Sequence, residues 1–178
     1  MKLVIGTKNK GKVIEIAECL EGLELEVVGA HNLDPSLTDP AETGDTFEAN
    51  ALQKARYYHQ ATGGLPTVAD DSGILIEALR DELGIHTRRW GAGAEASDKE
   101  WIEYFLERMS NEENKRDQFV CCLAYIDEAG TEHVFHGTCD GLITQSLEAD
   151  YLPGLPISAC FRPDGFEQVY SAMSVGQK

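Results

Sequence analysis

The hydrophobic period changes twice within the first thirty residues, and that change most narrows what the chain can fold into. Leu3, Val4 and Ile5 form an unbroken apolar run that stops at Gly6, the pattern of a short buried strand. Val13, Ile16, Ala17 and Leu20 then recur at helical spacing, predicting a helix over Lys12–Glu21, and Leu25–Val28 returns to a strand pattern. A strand, a helix and a strand in immediate succession point to an α/β sheet.

Further along, Pro35, Pro40 and Gly44 mark residues 30–45 as a loop. Thr46–Thr62 reads as a helix capped by Asp45, with Glu48 three residues on, and stopped by Gly63-Gly64. Pro66–Ala69 reads as a third strand running into a turn at Asp70-Asp71-Ser72-Gly73, with Ile74–Leu79 apolar beyond it. Residues 84–96 are rich in glycine and alanine and are expected to be mobile. Ser97 and Glu100 form a capping box ahead of an amphipathic helix over Trp101–Met109. Phe119–Ile126 reads as a buried strand, Glu128-Ala129-Gly130 as a turn, and Glu132–His136 as the hairpin partner. Leu142–Thr144 is a further short strand, and Pro153, Pro156 and Pro163 predict an irregular end. Strands thus alternate with helices at first and dominate later, which predicts a mixed, partly antiparallel sheet. With no repeat or low-complexity tract, the 178 residues read as a single domain.

Composition excludes several classes. The longest apolar run, Phe119–Ile126, has eight residues, whereas a membrane-spanning helix needs ~20. The apolar stretch at the N-terminus is too short for a signal-peptide core. Five cysteines, odd in number and without a C-x-x-C pair, argue against a disulfide framework or a zinc site and fit a reducing cytosol. Against 15 Lys+Arg stand 31 Asp+Glu, a formal charge of -16, so a nucleic-acid-binding face is not expected. Phosphate binding in such a chain must be local, through a few placed lysines and a divalent cation.

Three segments carry residues suited to that task. Gly6-Thr7-Lys8-Asn9-Lys10-Gly11-Lys12 lies between a strand and a helix, where backbone N–H groups meet anions, and it holds three lysines within five residues. Its spacing matches a P-loop up to the last position, where Val13 stands in place of the Ser or Thr that would ligate Mg²⁺. The P-loop reading is therefore rejected and the anion-binding one kept, with a solvated lysine-rich turn as its alternative. Asp70-Asp71-Ser72 places adjacent carboxylates at a strand end, where they can hold Mg²⁺ or activate water; an ordinary Asp-rich turn is the other reading. In Glu42 to Lys54, Asn50 and Lys54 share a helix face, and Asn50 is a poor helix former in a helix interior. The five histidines show no metal spacing and read as structural. Cys121-Cys122 reads as inert core.

Taken in order, Thr7-x-Asn9-x-Gly11-Lys12-x-x-Glu15, Glu42-Thr43-Gly44-x-Thr46-Phe47-x-x-Asn50-Ala51-x-x-Lys54-Ala55 and Ala69-Asp70-Asp71-Ser72-Gly73 resemble the inosine/xanthosine triphosphate pyrophosphatases. These are house-cleaning enzymes that remove deaminated purine nucleotides. The resemblance implies a two-lobed α/β fold with a long central mixed sheet, flanking helices and a substrate cleft between the lobes. It implies Mg²⁺-dependent hydrolysis of triphosphates such as ITP, dITP and XTP to the monophosphate and pyrophosphate. By that analogy Thr7, Lys8, Asn9, Lys10, Gly11 and Lys12 hold the phosphates, Asn50 and Lys54 lie near the triphosphate, and Ser72 touches the substrate. Glu42 and Asp71 hold the metal, and Asp71 also activates the attacking water. A cytoplasmic homodimer is implied as well.

Three departures accompany the likeness. Gly154-Leu155-Pro156-Ile157-Ser158-Ala159 replaces the family's Gly-Phe-Gly-Tyr-Asp-Pro, so Leu155, Pro156, Ile157 and Ser158 take the base-contacting positions. His86-Thr87-Arg88-Arg89-Trp90 replaces Tyr-Ser-Ala-Arg-Tyr, keeping Arg89 and an aromatic. The sequence stops at Lys178, which matches a substrate-facing lysine, ahead of the family's Ser-His-Arg tail. Two alternatives stand beside the pyrophosphatase: a nucleotide-binding module that does not hydrolyse, and a phosphatase releasing orthophosphate.

Overall fold

A computed structural model describes residues 1–79, 82–93 and 95–178, the side chains of Arg88 and Arg89 excepted. Six strands form one mixed sheet in the order β2-β1-β3-β4-β5-β6, with β1 Lys2–Ile5, β2 Glu26–Gly29, β3 Thr67–Ile76, β4 Arg116–Ile126, β5 Glu132–Ile143 and β6 Phe161–Pro163. β1 pairs in parallel with β2 and with β3, and β5 pairs antiparallel with β6. Among the described residues four α-helices accompany it: α1 Lys10–Cys19, α2 Ala30–Leu33, α3 Phe47–Ala61 and α4 Asp98–Ser110. Among the described residues no helix is long and apolar enough to cross a membrane.

The chain divides into two compact units, residues 1–72 with 121–137, and residues 73–120 with 138–178. In the first, alternation along the strands sends side chains to opposite faces. Leu3, Ile5 and Val68 pack with Val13, Ile16 and Ala17 of α1. Val4 packs with Tyr58 of α3 on the other face, where Ala69 meets Ala51 and Ala55 of the same helix. In the second unit, Trp101, Ile102, Phe105 and Met109 of α4 close on Ile74, Ile76, Ile143 and Phe161.

Several boundaries differ from the expectations. β3 runs without a break through Asp70-Asp71-Ser72-Gly73, where a turn was predicted. Turn-forming side chains yield there because both aspartates find cationic partners on helices, described below. Thr46, not Asp45, caps α3, its side chain accepting from the Ala49 N–H. The Ser97–Glu100 capping box is present on α4. Ala30–Leu33 is a short helix within the stretch read as loop. The stretch expected to be mobile contains a 3-10 helix at Gly84–Arg89, in which the Thr87 hydroxyl donates to Gly84 C=O at 2.6 Å and accepts the Ile74 N–H at 3.2 Å; Ala94 of that stretch lies outside the described residues. Cys122 is buried as expected, but Cys121 is exposed, since neighbours on a strand face opposite ways.

Candidate active site

β1 delivers its C-terminal end to the lysine-rich loop. The loop lies close on α3: a Cβ at Gly6 would sit 2.7 Å from the Tyr58 ring, so only glycine fits. Tyr58 in turn donates its hydroxyl to Asp39, whose Oδ1 also accepts the Lys8 N–H at 3.1 Å. Asn9 caps α1, its Oδ1 accepting the Lys12 N–H at 3.2 Å, and its own N–H donates to Thr7 Oγ1 at 3.1 Å. Thr7 and Gly11 are buried, while Lys8 is exposed on the loop and Lys10 is exposed at the first position of α1. A positive loop ahead of a helix N-terminus suits an anion.

The two aspartates of β3 point to opposite faces, as a strand requires. Asp70 meets α1: its Oδ2 lies 2.6 Å from Lys12 Nζ. Burial alone would raise the Asp70 carboxyl, but the charges of Lys12 and Lys54 and the Ser72 hydroxyl hold it below its ordinary value. Burial likewise works to lower the Lys12 ammonium, but the charge and hydrogen bond of Asp70, together with Asp71, leave Lys12 raised.

Asp71 meets α3. Its Oδ2 accepts from Asn50 Nδ2 at 3.0 Å, and its Oδ1 lies 3.2 Å from Lys54 Nζ. The same ammonium is 2.7 Å from Glu42 Oε1. Asn50 and Lys54, four residues apart on one helix face, thus bind a strand carboxylate, and Lys54 joins it to a loop carboxylate. Burial pushes the Asp71 carboxyl up; Lys54 opposes this, Glu42 adds to it, and the net shift is upward. An elevated carboxylate held by an amide and facing a second carboxylate is suited to take a proton from water.

Glu42 and Asp71 also fit a hard divalent cation. Both are oxygen donors, and they already share one positive charge. Among the described residues no group of three or more His, Cys, Asp or Glu is arranged to hold a metal. Mg²⁺ does not need such a cage, since it is commonly held by one or two carboxylates together with waters and substrate phosphates.

Glu42, Asn50, Lys54 and Asp71 therefore form one cluster, with Lys12 and Asp70 beside it. The expected base-contacting residues belong to the second unit. There Pro156, Ile157 and Ser158 are buried in a 3-10 helix, Ile157 joins the apolar core, and the Ser158 hydroxyl donates to Leu155 C=O at 2.6 Å. Leu155 is half-buried, and Lys178 Nζ lies 5.0 Å from the centre of the Tyr170 ring. Sequence reasoning missed Gln53, which hydrogen-bonds on both sides of Glu42. A glutamine at a helix position carries no signal that would have marked it.

A family model confirms the pattern at the scale of the whole chain, with the Ham1 family matching residues 3–178. The chain belongs to the Ham1 family. A dITP/XTP pyrophosphatase from Leptospira interrogans is 38% identical over 147 residues, covering 83% of this chain and 73% of that protein. One from Symbiobacterium thermophilum is 41% identical, with 82% and 71% covered. One from Yersinia pseudotuberculosis is 43% identical, with 80% and 72% covered. Among solved structures, the Ham1 protein of Staphylococcus aureus aligns with a TM-score of 0.76 at 30% identity, over 100% of this chain and 89% of that one. A HAM1 protein from Coxiella burnetii gives 0.77 at 28% identity, over 99% and 89%. The sheet described above is thus the Ham1 fold.

Proposed function

We propose that this Ham1-family chain hydrolyses deaminated purine nucleoside triphosphates, such as ITP, dITP and XTP, to the monophosphate and pyrophosphate with Mg²⁺. The observation that carries this reading is the Glu42–Lys54–Asp71 cluster, which puts two carboxylates and a lysine on one spot next to a lysine-rich loop. The names of the curated relatives support the substrate class.

In this mechanism the loop from Thr7 to Lys12 binds the phosphate chain through backbone N–H groups and lysine charge. Bound to Glu42 and Asp71, Mg²⁺ would supply charge stabilisation for the phosphate oxygens. Asp71, oriented by Asn50, accepts a proton from water as that water adds to phosphorus and the α–β phosphoanhydride breaks. One water is consumed, and pyrophosphate leaves. Lys54 offsets negative charge gathering between Glu42, Asp71 and the phosphates. Ser72 contacts the substrate, Leu155 faces the base and Lys178 reaches the nucleotide, all by family likeness, while Pro156, Ile157 and Ser158 are buried within their own unit. A cytoplasmic homodimer completes the reading.

The test is a product assay over ITP, XTP, GTP and ATP, with and without Mg²⁺. Pyrophosphate from ITP and XTP, dependent on Mg²⁺, is the expected result. Orthophosphate in its place would make the chain a phosphatase, and binding without product would make it a sensing module.

A further inference from the structure

We propose that Gln53 is the positioning residue that fixes Glu42 for the metal ion, a role that rests on the function proposed above. Glu42 lies in a segment without regular secondary structure ahead of α3. A carboxylate on such a segment loses conformational freedom whenever it must meet a cation at a set place. Here one side chain holds the backbone on both sides of it. Gln53 Nε2 donates to Ala41 C=O at 2.6 Å, and Gln53 Oε1 accepts the Thr43 N–H at 3.2 Å. A primary amide carries a donor and an acceptor side by side, so it pairs with the peptide groups flanking residue 42 much as a neighbouring strand does.

The rest of α3 acts in the same place. Asn50, one turn before Gln53, accepts the Gly44 N–H at 2.8 Å, and Lys54, the residue after Gln53, reaches the Glu42 carboxylate itself. α3 thus grips the segment at Ala41, Thr43 and Gly44 and presents Glu42 between those points. Asn50 and Lys54 also touch Asp71, so changing either disturbs the base. The Gln53 hydrogen bonds go to Ala41 and Thr43 and to neither carboxylate, which separates positioning from chemistry.

Gln53→Met tests this, because methionine has similar length and helix propensity but makes neither hydrogen bond. Mn²⁺ binding to the nucleotide-free protein is measured by calorimetry, and the Mg²⁺ concentration giving half-maximal pyrophosphate release is measured in parallel. Loss of a supporting hydrogen bond to a metal ligand typically lowers metal affinity ~10–100-fold, and that loss is expected in both readouts. A purely structural role would lower the melting temperature and leave Mn²⁺ affinity at low temperature unmoved. Should Gln53→Met fail to fold, Gln53→Asn carries the test: its amide is one methylene too short to span Ala41 and Thr43 together, so the same loss is expected. Wild-type Mn²⁺ affinity in the folded variant overturns the positioning role alone. A wild-type protein that neither binds Mn²⁺ nor releases pyrophosphate overturns it together with the proposed function.

Discussion

Lys12 Nζ lies 2.6 Å from Asp70 Oδ2, and the Asp70 carboxylate is almost wholly buried beside it. The lysine proposed to bind phosphate therefore also neutralises a buried charge. Lys12→Ala is expected to weaken triphosphate binding more than monophosphate binding and, in addition, to destabilise the fold. Removing one partner of a buried pair costs about 3–5 kcal/mol, because the other charge is left uncompensated. Urea denaturation checks this: Lys12→Ala combined with Asp70→Asn should recover much of the loss, and a double variant no more stable than Lys12→Ala would show that the pair does not carry it.

Asp71→Asn should fold and lose activity. Asparagine matches aspartate in size and can still accept from Asn50 Nδ2, but it takes no proton from water. Loss of a general base costs ~10²–10⁴-fold in rate, with a further loss from the weakened metal site. Pyrophosphate release and a melting curve on the same preparation decide it. Comparable turnover in the folded variant would remove Asp71 from the mechanism.

Asp117, on β4 in the second unit, is 4% exposed and takes no part in the site described. Burial pushes its carboxyl from an ordinary 3.8 up to about 7, with the backbone N–H groups of Gln118 and Leu75 only partly opposing. Between those two values the folded chain holds a proton that the unfolded chain has released, so stability falls as pH rises through that window. The gap corresponds to about 4 kcal/mol, absent below 3.8 and fully felt above about 7. Asp117→Asn should flatten this part of the pH–stability curve, measured by urea denaturation at pH 5 and pH 8. A variant curve parallel to that of the wild type would refute the assignment.

Gly44→Ala is expected to disturb the proposed metal site from outside it. A Cβ there would stand 2.7 Å from Ala49 Cβ and 2.8 Å from Asn50 Oδ1, so the segment or Asn50 must shift. Overpacking of this kind costs about 1–3 kcal/mol. Because Asn50 also holds Asp71, the Mg²⁺ needed for half-maximal pyrophosphate release should rise. An unchanged Mg²⁺ requirement would mean that the Gly44–Asn50 contact does not transmit to the carboxylates.

The sequence made the sheet's first half legible because Leu3, Val4 and Ile5 and the helical spacing after them reflect burial on two faces. Glu42, Asn50, Lys54 and Asp71 were joined in the sequence only through the family resemblance, since each motif alone has an ordinary reading as a turn or a helix start, and the structure brings the four side chains together. What failed was local. Asp-Asp-Ser-Gly has the composition of a turn, and nothing within that window reveals that Lys12 and Lys54, distant in the chain, neutralise it as a strand. Asp45 and Thr46 are both good caps, and the choice depends on the helix entry, which neighbouring residues do not specify. Asp117 drew no notice because one acidic residue near an apolar run resembles an ordinary strand end until its burial is known.

Most of the hold on the Glu42 segment falls on peptide groups: Ala41 through its carbonyl, Thr43 and Gly44 through their N–H groups. The exposed Ala41 side chain takes no part, whereas the Thr43 hydroxyl also donates to Gln53 Oε1 at 3.4 Å. Position 41 is therefore open to variation, in a library for example, without loosening the carboxylate next to it, whereas a change at Thr43 removes a hydroxyl from the same grip. New contacts to a ligand could be recruited at 41 while Glu42, Asn50, Lys54 and Asp71 stay as they are.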